Sequence, residues 1–104
     1  MRIVAPSILS ADFGNLEREI KMIDRSAAEW VHIDVMDGVF VPNISFGFPV
    51  VKSVRKATTK VLDAHLMIVE PERYVKRFVE AGVDYVTFHL EACTDPRTAI
   101  AEIK

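Results

Sequence analysis

The chain alternates between predicted strands and predicted helices, and this alternation constrains its fold more than any other feature. Strand-like segments begin near residues 3, 30, 61 and 84, and a helical segment follows each of them. Such a repeat is typical of a parallel sheet whose helices form right-handed crossovers. Two architectures use it, the open doubly wound sheet and the closed (βα)8 barrel.

Proline, glycine and capping residues set the expected boundaries of these elements. The first strand, residues 3–8, must lie at an edge or bend at Pro6, which has no N–H to donate. Asn15 is the expected N-cap of the first helix, and the second begins near Pro49. Pro71 is expected to open the third helix, which Gly82 follows. The fourth strand covers residues 84–90, and a fourth helix starts at residues 94–96.

Two of the predicted strands carry polar side chains on one face. In residues 30–38, the period-two alternation places His32, Asp34 and Met36 opposite three β-branched residues. Residues 63–67 repeat the pattern with Asp63, His65 and Met67. Strands of a doubly wound sheet are covered on both faces and are apolar throughout, so polar faces favour the barrel interior near its catalytic end. We therefore expect a functional site on this face.

Charge and composition restrict the class of partner. The 104 residues fit one domain, and half of them are apolar, which is enough for a core. A net charge of −2, from 13 basic and 15 acidic residues, argues against nucleic acid and against an anionic membrane surface. Apolar runs are too short for a membrane helix, and no signal-peptide pattern is present. The single Cys93 suits a reducing compartment, so we expect a cytoplasmic protein with a small-molecule partner.

The number of strand–helix units predicts a partial barrel. Eight units require at least about 200 residues, and four are found here. The chain ends within a helical pattern at residues 102–104. We therefore expect residues 1–104 to be one domain, the N-terminal half of a (βα)8 barrel truncated in its fourth helix. Such a half would expose sheet edges and apolar surface, so a homo-oligomer is expected.

Four motifs give the chain a resemblance to the ribulose-phosphate 3-epimerase family. They are APSILSADF at residues 5–13, HIDVMDG at residues 32–38 followed by FVPN at residues 40–43, DAHLM at residues 63–67 and TFHLEA at residues 87–92. The related allulose-6-phosphate epimerases share the metal motif, but residues 7–10 are more similar to the pentose enzymes.

The resemblance implies a (βα)8 barrel that interconverts ribulose 5-phosphate and xylulose 5-phosphate in the pentose phosphate pathway. It makes His32, Asp34 and His65 ligands of one divalent metal ion, which could be zinc, iron, manganese or cobalt. It makes Asp34 a catalytic acid/base group as well. Substrate contacts are expected from Ser7, His65, Met36 and Met67. The family's second catalytic aspartate and its phosphate-binding loops belong to later strands.

Several roles stay open at the level of sequence. We expect Asp63, two residues before His65 on the same face, to orient the imidazole. His89 and Glu91 suit either a site or a polar network inside a barrel. For the chain as a whole, the alternatives to a weakly active or inactive epimerase fragment are a non-catalytic half-barrel that binds metal or sugar phosphate, and a self-associating scaffold.

Overall fold

Three parallel strands form the central sheet of the structure, a computed structural model that describes residues 3–103 and only the backbone of Glu102. The strands are β1 (Trp30–Met36), β2 (Val61–Met67) and β3 (Tyr85–Phe88), in the order β1-β2-β3. β1 and β2 pair along their whole length, from Trp30 opposite Val61 to Met36 opposite Met67. The observed bounds of β1 and β2 agree with the polar–apolar alternation of the sequence.

Four α-helices alternate with the strands in residues 3–103. They are α1 (Leu16–Arg25), α2 (Phe48–Ala57), α3 (Val75–Glu80) and α4 (Pro96–Ile103). Helices that are consecutive in the chain pack side by side. The predicted α/β fold with a parallel sheet is therefore confirmed. Within the described part of the chain, none of the helices has the length and apolar character needed to span a bilayer.

The two faces of the sheet differ in burial, and this difference positions the site. Alternate residues of β1 and β2 are fully or nearly fully buried against the helices, whereas the residues between them are only partly covered. The buried set from the strands is Val31, Ile33, Val35, Leu62, Ala64 and Leu66. The helices contribute Ile20, Val51, Val54, Val75, Phe78 and Ala99 to the same core. Burial of the apolar face thus stabilises the fold, and the polar face remains partly exposed.

The predicted first strand is not formed as a regular strand. Residues 4–7, before the first 3-10 turn (Ile8–Ser10), run beside β1 with one parallel bridge, between Ser7 and His32. Carbonyl oxygens of Val4 and Pro6 accept from the N–H groups of Trp30 and His32 at 3.2 and 2.9 Å. Pro6 has no N–H to donate in return, so the ladder is incomplete. The segment still brings Ser7 beside β1.

Three other boundaries differ from the sequence-based expectation. Pro71 opens a 3-10 turn (Pro71–Arg73), and α3 begins only at Val75 because Tyr74, with φ of −123°, interrupts the helical path. Asn15 precedes α1 but makes no side-chain capping bond. β3 ends at Phe88, since residues Leu90–Ala92 form another 3-10 turn and Leu90 is exposed. The predicted helical pattern continues to Lys104, which lies outside the described residues.

The connection from β1 to α2, residues 37–47, is long but internally bonded. Asp37 and Ile44 form an antiparallel bridge across it. The Ser45 hydroxyl donates to the carbonyl oxygen of Asp34 at 2.9 Å and accepts from the N–H of Met36 at 2.9 Å. Both ends of this loop are therefore fixed directly beside the polar face of the sheet.

Candidate metal centre

One carboxylate oxygen lies at the centre of the polar cluster on β1 and β2. Oδ1 of Asp34 is 3.0 Å from Nε2 of His32 and 3.2 Å from Nδ1 of His65. Its second oxygen, Oδ2, accepts a 2.5 Å hydrogen bond from the Ser7 hydroxyl. The Asp34 side chain is only 14% exposed. Two imidazoles and a hydroxyl from three segments thus converge on one aspartate.

Strand register explains this convergence. In a parallel pair without slippage, partners across the ladder share a face. Asp34 is the register partner of His65, and His32 is the partner of Asp63. The bridge between Ser7 and His32 adds the irregular first segment on the other side of β1. The sheet therefore supplies the geometry, because it aligns residues that lie far apart in the chain.

The outer nitrogens of both imidazoles are also bonded. Nδ1 of His32 lies 2.9 Å from Oδ2 of Asp63, and Nε2 of His65 lies 2.8 Å from Nε2 of His89. Asp63 therefore contacts the imidazole of His32 on the neighbouring strand. The sequence instead leads to the expectation that Asp63 orients His65, two residues away on its own strand. The register of the strands, which sequence alone does not fix, decides between them.

Hydrogen bonding keeps Asp34 acidic. Burial raises the pKa of its carboxyl group, but the hydrogen bond from Ser7, the attraction of His32 and the hydrogen bonds from His32 and His65 together outweigh burial. The pKa of Asp34 consequently lies below its ordinary value. An ionised carboxylate is the form needed both for a metal ligand and for a general base.

The donor set fits a divalent transition metal. One ligand atom each from His32, Asp34 and His65 lies within 4.8 Å of the others, close enough for one ion to contact all three. Two imidazole nitrogens and one carboxylate oxygen suit zinc, iron, manganese or cobalt better than calcium or magnesium. The Asp63 carboxylate behind His32 is a typical partner for a metal-binding imidazole. The group could therefore hold a metal ion.

The remaining predicted site residues lie near the same end of the sheet. Met36 and Met67 are register partners at the carboxyl ends of β1 and β2. Ser7 is bonded to Asp34, and its predicted contact with substrate stays a prediction. Sequence analysis missed Ser45, which fastens the loop to the backbone of Asp34. Its position in a long irregular loop gave no periodic signal from which that contact could be inferred.

Comparison with known proteins assigns the family. The model of the ribulose-phosphate 3 epimerase family matches residues 3–104, which is nearly the whole chain. The chain belongs to the ribulose-phosphate 3-epimerase family. The match includes every strand and helix described above, so the polar cluster lies within the family region.

Curated relatives agree with this assignment. The chain is 55% identical over 94 residues to a ribulose-phosphate 3-epimerase of Synechocystis sp., an alignment that covers 90% of this chain and 41% of the relative. It is 52% identical over 101 residues to that of Bacillus subtilis, with coverage of 97% and 46%. It is 49% identical over 113 residues to the ribulose-phosphate 3-epimerase of Eremothecium gossypii, an alignment that covers 98% of this chain and 47% of the relative. The chain spans less than half the length of these epimerase relatives.

Proposed function

We propose that this chain supplies the metal-binding part of a ribulose-phosphate 3-epimerase site. The reaction would interconvert ribulose 5-phosphate and xylulose 5-phosphate by removing the proton at C3 and returning it to the opposite face. The observation that carries the proposal is the convergence of His32 and His65 on Oδ1 of Asp34. The names of the curated relatives point to the same reaction. The architecture proposed with it is the first four units of a (βα)8 barrel within residues 1–104.

His32, Asp34 and His65 would hold the metal ion in this proposal. When bound, a divalent cation would act as a Lewis acid that stabilises the negative charge formed as the C3 proton leaves. Zinc, iron, manganese and cobalt are all compatible with the donor set. Asp63 would keep the ring of His32 in its binding orientation through the contact at Nδ1.

Asp34 would also move the proton. Its low pKa leaves it ionised near neutral pH, so it can accept the C3 proton on one face of the sugar. Ser7 would hold Oδ2 of that carboxylate and contact the substrate, while His65 would contact the substrate from β2. Met36 and Met67, paired at the carboxyl ends of their strands, would provide an apolar wall that excludes water from the reacting carbons.

A metal- or sugar-phosphate-binding module without turnover is the second candidate. Inversion at C3 needs a second acid/base group on the opposite face of the carbon. Among the described residues, Asp34 and Asp63 are the carboxylates bonded to the two central imidazoles, and both lie on the same face of one sheet. Binding with no loss of the C3 proton would favour this candidate.

Self-association is a further part of the proposal. β3 is an outer strand of the described sheet, and Leu90, Ile100 and Ile103 leave apolar surface near β3 and α4 exposed. Exposed strand edges and apolar patches promote pairing between chains. Light scattering would test this, with a mass of twice the monomer expected and a concentration-independent monomer as the contrary result.

A cytoplasmic location is proposed on the single cysteine alone.

Metal titration followed by proton exchange tests the enzyme proposal. Metal-free protein would be titrated with manganese or zinc, and ribulose 5-phosphate would then be incubated with the loaded protein in D2O. We expect about one metal ion per chain and metal-dependent deuterium incorporation at C3, with no requirement that xylulose 5-phosphate accumulates. A variant with both His32→Ala and His65→Ala should lose the metal.

Asp34 is proposed both to bind the metal ion and to transfer the proton, so Asp34→Asn does not separate these two roles. The variant should nevertheless abolish deuterium incorporation even with excess metal. Metal binding without any exchange would leave the non-catalytic module as the better description. A folded protein that binds no metal at all would contradict the enzyme proposal and the metal-binding form of the second candidate, since it would show that these three residues do not form a site by themselves.

A further inference from the structure

The second nitrogen of His65 has an unusual partner, another imidazole. Nε2 of His65 and Nε2 of His89 are 2.8 Å apart, so one ring donates its N–H and the other accepts. The other nitrogen of His65, Nδ1, lies at Asp34 Oδ1. Both nitrogens of His65 are thus committed, one to the candidate metal centre and one to β3.

His89 is itself held from several directions. Its Nδ1 is 3.5 Å from Oε1 of Glu91, and its ring lies 5.1 Å from that of Phe40 in the loop after β1. Its carbonyl oxygen accepts from the N–H of Ala92 at 3.0 Å and from the Cys93 thiol at 3.6 Å. The turn after β3 therefore fixes the backbone of His89 while two side chains restrain its ring.

The surroundings of His65 parallel those of His32. Each imidazole directs one nitrogen to Oδ1 of Asp34 and the other to a polar partner away from the centre. For His32 this partner is the carboxylate of Asp63, reached directly. For His65 it is His89, with the Glu91 carboxylate behind it. The outer partner of a metal-binding imidazole sets ring orientation and determines which nitrogen keeps the proton.

We propose that His89, backed by Glu91, is a positioning residue that orients His65 for metal binding. The inference rests on the proposed metal site. A nitrogen that binds metal carries no proton, so a neutral His65 that binds through Nδ1 keeps its proton on Nε2. His89 Nε2 accepts that proton in a hydrogen bond, and its own proton on Nδ1 then faces Glu91. His89 touches neither metal nor substrate and acts only through His65.

Zinc affinity across matched variants tests this role. His89→Phe keeps an aromatic ring beside Phe40 but has no acceptor, whereas His89→Gln has an acceptor oxygen and no ring. We expect the zinc affinity of His89→Phe to be lower than that of the unmodified protein by about 10-fold or more. Binding by His89→Gln should recover to within a few-fold of the unmodified protein. Glu91→Gln, which removes the charge behind His89, should cause a smaller loss than His89→Phe.

The control is Thr87→Ser, on the same face of β3 two residues earlier, where Thr87 is the register partner of His65. This variant should bind zinc as the unmodified protein does. Equal affinities of His89→Phe and the unmodified protein would overturn the proposal. So would an equal loss in His89→Gln, which would trace the effect to ring packing, or an equal loss in Thr87→Ser, which would trace it to the strand.

Nuclear magnetic resonance supplies a readout that does not require metal. A hydrogen bond between the two imidazoles produces a scalar coupling between the Nε2 nuclei of His65 and His89, whichever ring donates. We expect this coupling in metal-free protein and in zinc-loaded protein, and its absence would overturn the proposal. If the unmodified protein shows the coupling but binds no zinc, the proposed function fails, and this role of His89 in metal binding fails with it. If the protein binds zinc and His89→Phe binds equally well, only the present inference fails.

Discussion

Ser7 and Asp34, 27 residues apart in the chain, are joined by a 2.5 Å hydrogen bond from the Ser7 hydroxyl to Oδ2 of the carboxylate. The same hydroxyl oxygen accepts from the N–H of Leu9 at 3.2 Å, so its donor direction is fixed. This bond leaves Oδ1, the oxygen between the two imidazoles, as the one that faces His32 and His65. Ser7 therefore orients the carboxylate on which the candidate centre depends.

Ser7→Ala should raise the pKa of Asp34. Burial already raises that pKa, and the hydrogen bond from Ser7 is the largest of the effects that lower it. Because the folded pKa is below the unfolded one, Asp34 contributes stability above about pH 4, and this is lost as pH falls through the folded pKa. In Ser7→Ala the loss should begin at higher pH. Carboxyl carbon chemical shifts of metal-free protein, recorded as a function of pH, measure the change.

Two serine variants serve as controls for this effect. Ser7→Thr keeps the hydroxyl and should leave the pKa of Asp34 close to that of the unmodified protein. Ser10→Ala removes an exposed hydroxyl three residues further along and should also have no effect. An unchanged Asp34 pKa in Ser7→Ala would show that the hydrogen bond does not stabilise the ionised carboxylate.

Asp63→Asn should weaken metal binding without removing a proposed ligand. The substitution replaces the charged partner of His32 Nδ1 with a neutral amide of the same shape. Loss of such a partner usually costs about 10-fold to 100-fold in metal affinity. Isothermal titration with zinc would measure it, with Asp84→Asn, on the loop before β3, as a charge-matched control. Equal affinities of Asp63→Asn and the unmodified protein would show that the contact with His32 is only structural.

The strands were predictable where burial alternates and unpredictable where one residue interrupts the pattern. The alternation of Val31, Ile33 and Val35 with polar residues fixes both the bounds of β1 and the face that carries the site. The first segment has β-branched residues too, but Pro6 removes a donor, and only one bridge forms. Whether a proline bends, ends or merely weakens a strand depends on its neighbours in the sheet.

The members of the candidate site were predictable, but their pairing was not. Polar residues at period two identify His32, Asp34, Asp63 and His65 as one face. Which imidazole meets Asp63 depends on the β1–β2 register, and the contact of His65 with His89 depends on where β3 lies. Both are tertiary relationships between strands, and no spacing within a single strand encodes them.

Asp37→Asn should loosen the loop at residues 37–47. Oδ1 of Asp37 accepts from the N–H groups of Val39 and Phe40, both at 2.9 Å, and Oδ2 accepts from the N–H of Val69 at 2.8 Å. One carboxylate therefore ties the loop after β1 to the end of β2. An amide offers one acceptor oxygen, so Asp37→Asn loses the hydrogen bonds accepted by either Oδ1 or Oδ2. We expect the free energy of unfolding to fall by about 1 kcal/mol at neutral pH.

This loss should depend on pH in a defined direction. Burial raises the pKa of Asp37, but hydrogen bonds from the backbone N–H groups of Val69, Val39 and Phe40 and of Asp37 itself outweigh it and leave the pKa below its ordinary value. The carboxylate thus stabilises the fold above about pH 4, the unfolded value, and the stabilisation disappears as pH falls through the folded pKa. Urea unfolding should show the difference between Asp37→Asn and the unmodified protein shrinking in acid. Glu80→Gln, on the exposed end of α3, should show no such difference.

Gly82→Ala should destabilise the junction between α3 and β3. Gly82 has a φ of 110°, and an added Cβ would lie 2.4 Å from Cδ and 2.5 Å from Cγ of Arg55. Arg55 cannot move freely, since its guanidinium donates to the carbonyl oxygens of Gly82, Thr58 and Lys60 and to Asp84.

Backbone strain at positive φ and displacement of Arg55 should together lower the free energy of unfolding by about 1–3 kcal/mol. Chemical denaturation would measure this. The matched control is Gly47→Ala, because Gly47 has an ordinary φ of −131° and its nearest contact to an added Cβ is 3.9 Å, so it should be close to neutral. Equal stabilities of Gly82→Ala and Gly47→Ala would show that Arg55 yields without cost and that its hydrogen bonds do not hold α2 to the turn before β3.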